Sequence, residues 1–229
     1  MTPREQAPAL SVQLQHTAHL LDRVMQGEST TALLAGLPSS LRPGIQALLL
    51  SVLRHAALAR AASTHLVQKP PARPVMALLQ TTLALMNVEP KPYPDHTLVN
   101  QAIEAAKNHR STRHAAGLIN ACLRRFLRER DALVRATDSD PVARWNHPRW
   151  WIERLKADHP QHWQAVLQAS QQAAPMTLRV NLAHDRAPHG HAGQAGVTQY
   201  LRRLADAGIS AHAVGDAGVV LDKARPVHE

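Results

Sequence analysis

Residues 117–133 read GLINACLRRFLRERDAL. The apolar residues Leu118, Ile119, Cys122, Leu123, Phe126 and Leu127 recur at the three- and four-residue spacing that gathers side chains on one face of a helix. Arg124, Arg125, Arg128 and Arg130 fill positions between and beyond them. A half-buried strand would alternate, and this segment does not. It predicts a helix with one face for a core and the other for water or a polyanion, capped by Ser111 or Thr112.

Upstream, the same period repeats. Leu10, Leu14, Leu21, Val24 and Met25 predict a helix that stops at Gly27. Thr30 and Thr31 precede a short run, ALLAGL, closed by Pro38. Pro43 opens a long periodic stretch (Ile45, Leu48, Leu49, Val52, Leu53, Ala56), expected as one helix to about Val67. KPPARP at 69–74 cannot be helix interior, because prolines lack the amide donor. Pro74 suits a first helical turn, and VMALLQTTLALM follows it. EPKPYP at 89–94 is a second break, after which Asp95 is placed to cap a helix through about Asn108. Residues 1–141 are expected to form one all-helical bundle.

Downstream the character changes. Asp138–Pro141 is a polar break, Pro148 opens RWWIERLKAD, and Pro160 opens QHWQAVLQASQQ. All four tryptophans lie between 145 and 163, which predicts a small packed unit, with Trp150, Trp151 and Trp163 in helix contacts. After Pro175, MTLRVN reads as a strand, followed by a loop over 183–196 and a helix, VTQYLRRLADA, ended by Gly208. SAHAVGDAGVVLDKA predicts a strand pair. The fold class is mainly α, with residues 142–229 forming a helical linker and a small α/β subdomain.

Composition narrows the function. Hydrophobic residues make up 45% of the 229, enough for real cores, which excludes wholesale disorder. The formal net charge is +9, and 21 of the 26 cations are arginine. Such a balance favours a polyanion such as nucleic acid, although a high-GC genome also enriches Ala and Arg together. The single Cys122 excludes a disulfide framework, a Cys-rich zinc site and an iron–sulfur cluster. The densest apolar run, ALLLSVL at 47–53, falls well short of the ~20 residues of a membrane span. MTPREQAPAL has no signal-peptide core, so a cytoplasmic protein with no membrane contact is expected.

The charge is concentrated. Residues 101–135 carry eight cations against three acids, more than half of the net surplus. Guanidinium forks grip phosphates, so Lys107, Arg110, Arg113, Arg124, Arg125, Arg128 and Arg135 are candidate RNA-backbone ligands, joined by Arg149. A solvated helix surface is the plainer alternative. Aromatic residues are 3%, so grip through phosphates and shape is expected over base stacking. Cys122 falls on the apolar face and reads as a core residue. His184, Asp185, His189 and His191 sit in an Ala/Gly loop, and no metal is expected there. GHAGQAG at 190–196 lacks the lysine of a phosphate loop and reads as an insertion. No Ser-His-Asp spacing, HExxH or GxGxxG occurs, so no catalytic residue and no cofactor site is expected in this segment.

Two stretches carry a family resemblance. GLINACLRRFLRERDAL resembles the last helix of the NusB fold, which packs a bundle and presents arginines outward. HPRWWIERLKADHPQHWQAVLQASQQAAPMTLRVN at 147–181 is similar to the linker behind the NusB-like domain of RsmB-type rRNA methyltransferases. With Tyr93–Pro94 and the 95–103 region, the likeness covers most of 90–210. Arg179 and Asn181 match the LRVN core of that linker, and Arg179 either faces a substrate cleft or pairs with a helix acid.

The resemblance implies a NusB-like domain, a small α/β pre-domain and then a Rossmann-like catalytic domain. Such enzymes make 5-methylcytosine in small-subunit (16S) rRNA with S-adenosylmethionine, through a cysteine thiolate, a second cysteine and an AAPGGK-like loop. None of these motifs is in this sequence, and Cys122 matches neither catalytic position. The expectation is therefore an RNA-recognition portion, inactive alone, whose cofactor belongs to a catalytic domain missing here. A stand-alone NusB-like antitermination factor is the rival, favoured by a stoichiometric ribosomal-protein partner and disfavoured by the 147–181 linker. A helical interaction protein with merely compositional charge is the third reading.

Overall fold

The computed structural model describes residues 8–181 and 192–225. Among them lie eleven α-helices and one three-stranded sheet, mainly α as the periodicity predicts. The chain divides into two compact units, residues 1–172 and 173–229. The polar break at 138–141 thus falls inside the first unit, whereas the sequence-based division sets its boundary at 141/142.

The first unit is built around α5 (Arg73–Met86), whose buried residues include Val75, Leu78, Leu79, Leu83, Leu85 and Met86. A helix this apolar around its circumference must lie inside. It packs against α1 (Leu10–Met25), α3 (Arg42–Leu53), α4 (Ala56–Leu66), α6 (Asp95–Asn108) and α7 (Ala116–Thr137). Gly27, at φ 92°, turns the chain out of α1, and Ser29 caps the short α2 (Thr30–Ala35). From α7, Ile119, Cys122, Leu123 and Phe126 enter the core. Leu118, expected on that face, is 41% exposed, because it lies at the edge of the side that carries Gly117 and Ala121.

Three local expectations are corrected. The stretch expected as one helix over 43–67 is two, α3 and α4, bent by 72° at Arg54–His55. Neither proline nor glycine marks the bend. It is held instead by Asn146, whose Nδ2 donates to the Leu53 carbonyl and whose Oδ1 accepts from the Ala57 amide, both at 2.9 Å. Asp95 does not cap α6; it is the first helical residue, behind Pro94, and its carboxylate is taken by cations. Thr112 does not cap α7 either. Its hydroxyl donates back to the Ala106 carbonyl at 3.0 Å, and a 3-10 turn (Arg113–Ala115) precedes the helix.

Beyond α7 come α8 (Pro141–Trp145), α9 (Arg149–Asp158) and α10 (Trp163–Ser170). Asp140 caps α8, which packs on α4. Asn146 then takes the left-handed conformation, φ 53°, which asparagine tolerates better than most residues. Ile152, Leu155 and Leu167 form a small core with Trp145 and Trp163, whose rings meet edge-on at 5.3 Å. The packing expected for Trp150 and Trp151 is not there: they are 68% and 39% exposed. Ile152 and Leu155, three apart, take the buried face of α9 and leave the tryptophan pair outside.

The second unit holds β1 (Thr177–Arg179), α11 (Ala192–Asp206), β2 (Ala211–Val214) and β3 (Gly218–Leu221). The sheet order is β1-β3-β2, antiparallel throughout. Val197, Leu204, Val219 and Leu221 form its core. The helix opens at Ala192, inside the stretch expected as loop. His184, Asp185, His189 and His191 lie outside the described residues.

Candidate nucleic-acid interface

The basic segment folds as the end of α6, a tight turn and the length of α7. The turn is tied by Thr112 and by a 2.8 Å contact between His109 Nδ1 and the Ser111 hydroxyl. Lys107, Arg110 and Arg113 are exposed around it. On α7, Arg124 and Arg128, four apart, are exposed before Glu129, and Asp131 and Arg135, four apart, are exposed after it. The helix is interrupted at Glu129, whose backbone (φ −116°, ψ 16°) is non-helical.

These cations are not equivalent. Lys107, Arg110, Arg113, Arg128 and Arg135 have no ion-pair or hydrogen-bond partner for their side chains among the described residues. Arg124 donates to the Asn120 amide oxygen at 2.9 Å and meets no carboxylate. Arg125 is engaged twice, with Glu129 at 2.9 Å and with the His65 carbonyl at 3.2 Å. Arg130 is a buttress: it meets Asp95 at 3.1 Å and lies 5.4 Å from the centroid of the Phe126 ring.

Arg149 opens α9 and is exposed. Arg179 lies in the second unit as the last residue of β1, exposed and lining a recess of about 460 Å³. Of the two alternatives for Arg179, no pairing carboxylate occurs among the described residues. Tyr200 and Arg203 share that recess, and the sequence pattern does not single them out. Their signal was present in the i, i+3 spacing on one helix face, but the strand that completes the recess is distant in sequence.

Cys122 is buried, its thiol directed at the Leu66 carbonyl at 3.8 Å. Burial pushes the thiol above its ordinary value, against a smaller pull from Arg125. A buried, protonated thiol is not a nucleophile. Among the described residues no group of three or more His, Cys, Asp or Glu is placed to hold a metal ion, and no single helix is long and apolar enough to cross a membrane.

Comparison with known proteins agrees with this architecture. The NusB family profile matches residues 1–128, and the profile of the RsmF/B-like methyltransferase ferredoxin-like domain matches residues 147–228. The chain is 38% identical over 133 residues to ribosomal RNA small subunit methyltransferase B of Pseudomonas putida, covering 57% of the chain and 28% of that protein. It is 33% identical over 138 residues to the Vibrio cholerae protein of the same name, covering 59% and 29%. With the Escherichia coli protein of that name it shares 30% identity over 212 residues, 90% of the chain and 47% of the relative. The chain thus spans less than half the length of these relatives. Through the match over residues 1–128 the chain belongs to the NusB family, and it carries the RsmF/B-type ferredoxin-like domain behind that bundle.

Proposed function

We propose that this chain is the RNA-holding portion of a small-subunit rRNA methyltransferase that makes 5-methylcytosine with S-adenosylmethionine in the cytoplasm. One observation carries the reading. Lys107, Arg110, Arg113, Arg124, Arg128 and Arg135 stand exposed along α6–α7 without a carboxylate partner among the described residues. Cations kept for solubility are ordinarily interspersed with acids, whereas a phosphate surface leaves them unpaired. Arg125, Arg149 and Arg179 complete the proposed contact set. The name of these relatives, ribosomal RNA small subunit methyltransferase B, supports small-subunit rRNA as the polyanion.

The methyl donor does not fit this chain, which has no AAPGGK-like loop, so no chemical step is assigned to these residues. Their work is to bind and orient the transcript. Titration of the chain with 16S rRNA fragments at several salt concentrations tests this. Log affinity should fall linearly with log salt, by roughly 0.7–0.9 per phosphate contact. Reversing Arg124, Arg125 and Arg128 to Glu should weaken binding more than tenfold, and unchanged affinity would refute this surface.

A further inference from the structure

In the second unit, Val180 and Asn181 leave β1 beside α11, where Gly196, Gln199, Tyr200 and Arg203 recur at intervals of three and four, on one helix face. With Arg179 they line the recess of about 460 Å³. Its chemistry is one-sided. Among the described residues, both charged residues on its wall are arginines, no carboxylate lines it, and neither arginine has an ion pair. The guanidinium of Arg203 lies 5.9 Å from the centroid of the Tyr200 ring, which supports the planar fork on an aromatic face. Gln199 and the Tyr200 hydroxyl add neutral hydrogen-bonding groups.

Two arginines on a recess wall, with no neutralising acid among the described residues, make a site for an anion. The volume exceeds what a lone phosphate fills and falls in the ~300–1,000 Å³ range of small-ligand sites. We propose that this recess holds one nucleotide of an RNA strand, its phosphodiester on Arg179 and Arg203 and its sugar and base against Tyr200 and Gln199. This rests on the reading of the chain as an RNA-holding module, and it gives that module a second grip on its smaller unit.

The test uses the full chain and a fluorescent rRNA fragment. Arg179→Ala and Arg203→Ala should each weaken binding roughly tenfold and lower the salt slope by about 1. Arg203→Lys keeps the charge and should keep the slope while losing affinity, because an ammonium does not reproduce the fork. Arg202→Ala removes an exposed neighbour outside the recess and should do much less. Equal effects at 202 and 203 would reduce the site to general charge and overturn the proposal.

Occupancy is read separately from the Gln199 and Tyr200 amide signals. A nucleoside monophosphate such as CMP should shift them at lower concentration than inorganic phosphate does. Equal response to both would mean an anion-only site and would also overturn the proposal. If the α7 reversals abolish RNA binding while the recess variants bind like wild type, the nucleotide site fails and the α7 surface stands. If neither set changes binding, both fail.

Discussion

Arg130 reaches Asp95 at 3.1 Å, fastening α7 to the first turn of α6. The same carboxylate accepts Lys91 at 2.7 Å, so two cations from opposite sides in sequence converge on it. Arg130 therefore belongs to the fold, although it sits in the run RRFLRER with the proposed phosphate ligands. Burial pushes the Asp95 carboxyl up, but the Lys91 hydrogen bond and the charges of Lys91 and Arg130 beside it outweigh that and hold the group below its ordinary value.

The pH dependence follows from that sign. A carboxyl with a lower pKa in the folded state stabilises above its unfolded value and loses the contribution as pH falls through the folded one. Asp95→Asn should therefore cost about 1 kcal/mol at neutral pH and progressively less below about pH 4. Urea unfolding at both pH values checks this; a constant difference across the range would contradict the pairing.

Arg125 and Arg128 should separate by their effect on stability. Arg128 has no partner among the described residues, so Arg128→Ala should lower the RNA salt slope by about 1 and leave the melting temperature in place. Arg125 holds Glu129 and the His65 carbonyl, so Arg125→Ala should cost roughly 0.5–1 kcal/mol of stability. Melting curves should distinguish the two variants, Arg125→Ala falling below wild type and Arg128→Ala not; equal melting temperatures would contradict the structural role of Arg125.

The tryptophans of α9 make a contrast with its buried face. Trp150→Ala should change stability by less than about 0.5 kcal/mol, whereas Ile152→Ala, emptying a fully buried site, should cost about 2–5 kcal/mol. Acrylamide should also quench less of the emission once Trp150 is removed. A large loss of stability at Trp150 would mean that its ring is covered.

Gly218 fixes the strand pair of the smaller unit. A Cβ there would lie 2.5 Å from the Val214 carbonyl oxygen, a backbone atom that cannot swing aside. Gly218→Ala should destabilise the β2–β3 pairing by about 1–3 kcal/mol. Amide exchange should speed at Val219 and Leu221 while the α5 core amides of the first unit keep their protection.

The bundle was legible because its helices are strongly periodic and its breaks are marked by proline: 69–74 and 89–94 separate helices as the sequence predicts. The basic surface was legible too, since a face read from spacing remains a face when the helix forms. What the pattern did not carry were contacts made by residues distant in sequence. The bend at 54–55 has no local signal, because the group that holds it lies about ninety positions away. Asp95 reads as a cap until Arg130 comes within reach of it. The exposure of Trp150 and the recess of Arg179, Tyr200 and Arg203 likewise depend on which partners tertiary packing supplies.

Asn146 has the last word on where the bundle ends. With one side-chain amide it splices the carbonyl that closes α3 to the amide that opens α4, from a position beyond the polar break. A bundle trimmed at residue 141 would open the corner between those two helices to water and give up both bonds. Residues 142–172 are thus a clasp on the earlier helices of the same unit, and the two should unfold together as one cooperative body.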